Sequence, residues 1–175
     1  MSDPPDLDRW LANPVIRTQH SRAAGAEPDA LWAAAQRVRL RDVGPLGRLV
    51  RYRIPGTPAS ASFGELFRGE PFVVLDEGPQ RLVSGLVGRI WTLERDYPRL
   101  VGPTQFVAWD RPHTAKVLFA HWVEPAADGS VLCSEARVAA TDRHARLRLR
   151  ALWTVLGGFE RLIGGEGLAA AARNV

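Results

Sequence analysis

The sequence predicts an α+β fold in which a curved antiparallel sheet wraps around a long C-terminal helix, with smaller helices after the first strand. Three observations lead to this prediction. An alternating strand over residues 130–140 runs through Thr141-Asp142 directly into a long amphipathic segment. Strand patterns recur upstream, between residues 72 and 123, and a shorter helical pattern follows a first strand near the N-terminus. Because a sheet that grips one helix commonly encloses a pocket, the pattern also indicates ligand binding.

The composition is that of an ordinary globular domain. The chain has 175 residues, of which 46% are hydrophobic and 24% charged, and a domain near this size buries roughly 70% of its unfolded surface. We expect residues 1–14 to form a loose N-terminal arm, since Pro4-Pro5 and several aspartates pack poorly, and residues 15–175 to form one domain. No apolar run approaches the roughly 18 residues of a membrane span. The acidic first residues also lack the apolar stretch of a secretory signal, so we expect a cytoplasmic protein.

The net charge of +4 is almost entirely due to arginine, because Lys116 is the sole lysine. Arginines cluster within residues 37–41, 48–53 and 143–150. We interpret these clusters first as solvated helix faces, and as a surface for an anionic partner in the alternative. The charges are dispersed and no basic motif is interleaved with aromatic residues, so we do not expect nucleic-acid binding.

Each element of the N-terminal half has a local cause. The β-branched and polar residues from Val15 to Ala24 predict the first strand. Pro28, between Glu27 and Asp29, begins a helix that continues to Leu40, because proline and acidic residues both suit a first turn. We predict a short helix over residues 46–52, and a second one over residues 63–67 that is capped by Ser62.

The second half is predicted to be a strand meander followed by the long helix. Residues 72–77 and 81–92 are predicted to form a hairpin, residues 104–109 and 113–123 two further strands, and Asp128-Gly129 the turn before the last strand. We expect Asp142 to cap the final helix, with Thr141 as the competing candidate. The glycine pairs Gly157-Gly158 and Gly164-Gly165 predict a bend or a break in it, since interior glycine destabilises a helix.

This order of elements, with several short stretches of sequence, resembles the START-like helix-grip superfamily, also called SRPBCC. That superfamily includes polyketide cyclases, lipid-transfer domains and pollen-allergen-like proteins, and the local sequence is similar to its bacterial members. The resemblance covers residues 15–165. The stretches that carry it are Gly64-Glu65-Leu66-Phe67, Arg89-Ile90-Trp91, Ala115-Lys116-Val117, Ser134-Glu135-Ala136-Arg137-Val138, Thr141-Asp142 and Leu152-Trp153. The resemblance implies a helix-grip fold. It assigns no catalytic residue, since the superfamily shares no universal one.

The candidate ligand-binding residues lie on the predicted strands and on the long helix. Tryptophan suits a pocket wall, because it combines a large apolar surface with one polar contact, and a buried arginine would hold an anion through two parallel hydrogen bonds. The candidates are Arg89, Trp91, Val107, Trp109, Phe119, His121, Arg137 and Trp153. Alternation places Glu135 and Arg137 on one strand face with Cys133 but leaves open which face points inward. For Glu135 we favour a solvated ion pair.

His121 is the candidate general acid–base, because it lies in the middle of a predicted strand on one face with Val117 and Phe119. A structural role for this histidine is the more common outcome. No two histidines have the spacing of metal ligands, and Cys133 has no neighbouring ligand, so no metal site is predicted. The sequence has no nucleophile elbow, phosphate-binding loop or dinucleotide fingerprint, so no cofactor is predicted.

Three functions follow from these observations. The first is a protein that binds a hydrophobic or amphipathic small molecule in an internal cavity between the sheet and the C-terminal helix. The second is an enzyme of the cyclase or dehydratase type, in which His121 acts with Arg89 or Arg137. The third is a basic interaction module for an anionic partner. A homodimer is left open. We expect the helix from Asp142 to Leu156 to lie across the concave sheet, with Leu149, Trp153 and Leu156 facing it.

Overall fold

The computed structural model describes residues 4–54, 56–92, 94, 96–164 and 166–173, and the side chains of these residues except within 155–166. Among these residues, five strands form one antiparallel sheet in the order β1-β5-β4-β3-β2. The strands are β1 (Ile16–Ala24), β2 (Val73–Gly78), β3 (Arg81–Gly88), β4 (Ala115–Ala126) and β5 (Gly129–Ala140). β2 to β5 thus form a meander, and β1 pairs with β5 at the far edge.

Helices cover this sheet on both faces. The helices are α1 (Asp8–Leu11), α2 (Pro28–Arg37), α3 (Gly44–Arg53), α4 (Phe63–Arg68), α5 (Pro103–Ala108), α6 (Arg143–Gly164) and α7 (Glu166–Arg173), with a 3₁₀ turn at Leu40–Val43. Between β1 and β2, helices α2 to α4 lie on the same face as α6 and α7, whereas α1 and α5 pack on the other face. The molecule therefore has the predicted α+β helix-grip fold.

Two of the predicted helix caps are confirmed. Ser62 Oγ accepts a hydrogen bond from the Glu65 amide at 3.2 Å, and a Glu65 carboxylate oxygen accepts one from the Ser62 amide at 2.8 Å. These bonds satisfy amides that the first turn of α4 leaves unpaired, and they lower the pKa of Glu65. At the start of α6, Asp142 Oδ1 accepts from the Ala145 amide at 2.7 Å. Thr141 instead donates to the Thr114 carbonyl, so Asp142 is the cap.

Alternation along β4 separates the two sheet faces. Val117, Phe119 and His121 point toward α2, α4 and α6, and this face is called the inner face below. Leu118 and Trp122 point to the opposite, outer face, where they pack with Leu7, Leu11, Phe106 and Cys133. The sheet is therefore the middle of three layers, and both of its faces carry a cluster of buried apolar side chains.

The predicted strand over residues 104–109 is wrong, because these residues form α5. Gly102-Pro103 starts the helix, since proline is accommodated in a first turn, and Gln105 Oε1 accepts a hydrogen bond from the Val101 amide at 2.8 Å. Phe106 is the one fully buried side chain of this helix, and it packs on the outer face of the sheet. A six-residue segment in which two polar residues precede four apolar ones is too short for its pattern to distinguish a strand from a helix, and the preceding Gly-Pro favours the helix.

The predicted strand 81–92 ends at Gly88. This glycine has a φ of 146°, and a Cβ at this position would lie 2.0 Å from the Asp96 carbonyl oxygen, so only glycine fits. The Arg89 amide then donates to the same Asp96 carbonyl at 3.2 Å. Arg89 and Trp91 consequently lie in the loop after β3, outside the sheet.

The expectation of a loose N-terminal arm is wrong for residues 4–14. Leu7 and Leu11, at the two ends of α1, are buried against the outer face of the sheet. The guanidinium of Arg137 on β5 donates to the Asp8 carboxylate and to the Leu11 carbonyl, at 2.5 and 3.0 Å. Proline and aspartate residues do not prevent packing here, because two leucines and a buried arginine hold the segment.

The long helix lies on the inner face of the sheet as predicted. Leu149 is fully buried in one cluster with Val117 and Val138, and Trp153 is half-buried against the same cluster. Arg143, Arg146 and Arg150 are exposed. The helix continues through Gly157-Gly158, so the first glycine pair does not break it, and the predicted effect of the second pair falls on Gly165, which lies outside the described residues. The side chain of Leu156 lies outside the described residues.

Candidate functional site

A pocket of about 570 Å³ lies between the inner face of the sheet and the helices that cover it. Its floor is built by four strands, whose inward residues are Ile16, Thr18, His20, Leu86, Val117, Phe119, His121, Leu132, Ser134, Ala136 and Val138. Helices α2, α3, α4, α6 and α7 supply the opposite walls. Most of these side chains are aliphatic or aromatic, because alternation along each strand sends the apolar residues to this side.

Aromatic rings form one wall of the pocket. Phe67 on α4 contacts Phe72 and Phe119, with ring centroids 5.2 and 5.4 Å away. The position of Phe67 is fixed by the buried Ser84 on β3, whose hydroxyl donates to the Phe67 carbonyl at 2.6 Å. Edge and tilted contacts of this kind are favourable for aromatic pairs, so they stabilise this wall.

Polar side chains are concentrated on one row of the floor. The strand register places His20, Ser134 and His121 side by side across β1, β5 and β4. Thr18 lies one inward position along β1 from His20. The floor thus combines an apolar area around Val117 and Val138 with a row of hydroxyl and imidazole groups.

His121 is the most perturbed titratable group in the pocket. The ring of Phe67 lies against it with centroids 4.7 Å apart. Burial lowers the pKa of His121 to about 4, since removing water disfavours the imidazolium. The side chain is therefore neutral at pH 7. Its Nε2 atom is buried and has no hydrogen-bond partner among the described residues.

Arg53 at the end of α3 is a pocket residue that the sequence analysis missed. Its guanidinium donates to the carbonyls of Thr92 and Ile90, at 2.7 and 2.9 Å, and to the Tyr97 hydroxyl at 2.5 Å. These bonds hold the loop after β3 against α3 and bring Trp91 to the pocket. Helical spacing was the available signal: Leu46, Val50 and Arg53 recur at intervals of four and three and so share one face.

The structure brings four of the eight predicted ligand-binding residues to the pocket: Trp91, Phe119, His121 and Trp153. The other four lie elsewhere. Arg89 forms ion pairs with Glu94 and Asp96 at 2.9 and 3.1 Å, and it does not line the pocket.

Val107 and Trp109 were also placed wrongly, because the segment that carries them is a helix on the outer side of the sheet. Val107 is 47% exposed on α5. Trp109 follows α5, packs on the outer-face cluster, and donates from its indole Nε1 to the Thr114 hydroxyl at 2.9 Å.

Arg137 lies on the outer face, where it belongs to a buried ionic network. Its Nε donates to Glu135 Oε1 at 2.5 Å, and Glu135 also accepts two hydrogen bonds from Arg17 at 2.8 and 3.1 Å. Glu135 is only 3% exposed, so the interpretation as a solvated ion pair is wrong. The covering arm, with Asp8 and Leu11, excludes water from this carboxylate.

The catalytic hypothesis required His121 and an arginine, Arg89 or Arg137, in one cavity. The structure separates them, since Arg137 lies on the opposite sheet face and Arg89 lies outside the pocket. Cys133 also faces outward, and burial, with the nearby Glu124 carboxylate, raises the pKa of its thiol to about 11. Among the described residues, no three histidine, cysteine or acidic side chains are grouped to hold a metal ion. None of the described helices is long and apolar enough to span a membrane.

No protein-family profile matches this chain, and no curated protein is significantly similar to it. Several solved structures are similar. Protein MLL2253 from Mesorhizobium loti is 14% identical with a TM-score of 0.41, over 91% of this chain and 96% of that chain. Protein NE0264 from Nitrosomonas europaea is 10% identical with a TM-score of 0.46, over 93% and 95% of the two chains. Ara h 8.0201 is 9% identical with a TM-score of 0.28, over 90% and 95%. At identities and TM-scores this low, these structures carry no conclusion about function.

Proposed function

We propose that this protein binds a hydrophobic or amphipathic small molecule in the pocket between the sheet and helices α2, α3, α4, α6 and α7. The observation that carries the proposal is the pocket itself, which has about 570 Å³ of space and predominantly apolar walls. Ligand pockets commonly have volumes of roughly 300–1,000 Å³, with mainly apolar walls and a few polar groups that orient the ligand. The inner face fits this description, with Phe67, Phe72 and Phe119 as the wall and the His121 row as the polar part.

The architecture supports a pocket rather than a filled core. The outer face of the sheet carries its own packed cluster, with α1 and α5 covering it. Both faces therefore bury apolar side chains, and the sheet is held in place independently of what fills the pocket. Binding of an apolar molecule removes the exposed inner walls from water, at roughly 25 cal/mol for each Å² buried.

The arrangement favours binding over catalysis. The catalytic hypothesis required an arginine in the same cavity as His121, but Arg137 lies on the opposite sheet face and Arg89 lies outside the pocket. The ring of His121 contacts the ring of Phe67, which offers no group that could orient it by a hydrogen bond. We therefore assign the pocket a binding role.

A filled-pocket variant tests the proposal. Ala136 lies on the floor between Thr18 and Phe119 in the strand register, so Ala136→Trp places an indole in the pocket. Ala151→Trp adds the same side chain at an exposed position of α6 and is the matched control. Titration with a polarity-sensitive fluorescent apolar probe is expected to give saturable binding for the wild type and for Ala151→Trp, and to lose it in Ala136→Trp with circular dichroism unchanged. Equal binding by all three proteins, or none by the wild type, contradicts the proposal.

A further inference from the structure

Few charged side chains line the described part of the pocket. Among the described residues, no acidic side chain lines it, and Arg53 is the one arginine or lysine that does. The Arg53 guanidinium already donates to two carbonyls and to the Tyr97 hydroxyl. Gln36, another polar lining residue, accepts from Arg68 Nη1 at 2.7 Å. The groups on the floor that are suited to a ligand therefore include the Thr18 and Ser134 hydroxyls and the His121 imidazole.

His121 has a buried ring nitrogen that no described residue satisfies. Buried polar atoms in folded proteins nearly always have a hydrogen-bond partner, and an unpaired one destabilises the protein. Phe67 contacts the imidazole directly, and Phe119 precedes it on the same strand face. Neither side chain can supply a partner, because a phenyl ring carries no nitrogen or oxygen atom. An apolar residue at this position would avoid the cost. A histidine here is explained if a molecule in the pocket supplies the partner.

A neutral imidazole limits which partner fits. It carries one N–H donor and one nitrogen acceptor, so it pairs with a hydroxyl or with a carbonyl. A carboxylate at the same place would lose its hydration without gaining an opposite charge, which is unfavourable in an apolar site. From this position we infer that the ligand carries an uncharged hydroxyl or carbonyl group that hydrogen-bonds His121 at the pocket floor, with its hydrocarbon part along the aromatic wall. This inference rests on the proposed function.

Three probes share one ring system and differ in their polar group: naphthalene has none, naphthol has an uncharged hydroxyl and naphthoate has a carboxylate. Their dissociation constants are measured by fluorescence for the wild type, for His121→Phe, and for His144→Phe, which makes the same change at an exposed position of α6. We expect His121→Phe to weaken naphthol binding roughly three- to tenfold, the usual effect of one uncharged hydrogen bond. Naphthalene binding is expected to change little, and naphthoate is expected to bind most weakly. His144→Phe is expected to match the wild type for all three probes.

The outcomes distinguish this inference from the proposed function. If none of the three probes binds the wild type, the proposed function itself fails. If naphthalene binds but naphthol affinity is the same in the wild type and His121→Phe, or if naphthoate binds most tightly, the inference about His121 is overturned and the apolar pocket stands. The ¹⁵N resonances of the His121 ring give a second readout that does not depend on the folding of the variant. Naphthol is expected to shift them and naphthalene is not, and equal shifts overturn the inference.

Discussion

The ring of Phe67 lies against the ring of His121, with centroids 4.7 Å apart, so a helix side chain closes over the polar row of the pocket floor. The contact depends on α4, which the Ser62–Glu65 cap starts and the Ser84 hydroxyl ties to β3. This pairing explains why an imidazole in the middle of a strand is neutral. It also links the stability of the protein to the protonation of one residue.

The stability of the ligand-free protein is expected to fall as the pH falls from about 6.5 to about 4. The unfolded chain protonates His121 near its usual pKa of 6.5, whereas burial lowers the pKa in the folded protein to about 4. Within this window the unfolded state binds more protons, so acid favours unfolding, by up to about 3 kcal/mol. Urea unfolding measures the free energy of unfolding at each pH. We expect this free energy to fall less with acid in His121→Phe than in the wild type, and to fall as in the wild type in His144→Phe. Parallel pH profiles for the wild type and His121→Phe contradict the prediction.

Leu149→Ala is expected to destabilise the protein by about 3 kcal/mol. Leu149 is fully buried between α6 and the inner face of the sheet, so its removal loses apolar contacts and leaves a larger cavity. Arg146→Ala, on the exposed side of the same helix, is expected to cost less than about 0.5 kcal/mol. Chemical denaturation measures both free energies of unfolding, and similar values for the two variants would place α6 away from the sheet.

Glu135→Ala is expected to cost about 3 kcal/mol, since it removes the buried one of the two carboxylates that pair with the buried Arg137 guanidinium. Asp8 pairs with the same guanidinium but is 71% exposed, so Asp8→Ala is expected to cost less than about 1 kcal/mol. Thermal or urea unfolding compares the two. A larger loss in Asp8→Ala would show that the arm, rather than the ion pair between strand residues, holds the network.

Alternation in the sequence was sufficient to predict which residues share a sheet face, but not which face encloses the pocket. Val117, Phe119 and His121 share one face as expected, and Glu135, Arg137 and Cys133 share the other. The choice between the faces depended on residues 4–14, whose two leucines cover the outer face. A charged pair on a strand normally indicates a solvent-exposed face. Here residues 4–14 cover the pair, and this segment is too short and too polar for its packing to be predicted from the sequence.

Short segments account for the remaining errors. The short apolar run within residues 104–109 fits a strand, yet Gly102-Pro103 begins a helix there and removes Val107 and Trp109 from the sheet. Arg53 was grouped with surface arginines because it clusters along the chain with Arg48 and Arg51, which are indeed exposed. Its role depends on the carbonyls of Ile90 and Thr92, about 40 residues away along the chain, a contact that no local pattern encodes.

The most direct test of the pocket is methyl chemical-shift mapping by NMR during a titration with naphthol. Strand β4 provides its own control, because Val117 lies on the pocket floor and Leu118 is fully buried on the outer face. Val138 and Ala136 on β5 add two further methyl-bearing residues on the floor. We predict saturable shifts for Val117, Ala136 and Val138, with little change for Leu118. Shifts confined to the outer face or to exposed methyl groups, or no shifts at all, would contradict a ligand pocket between the sheet and the C-terminal helices.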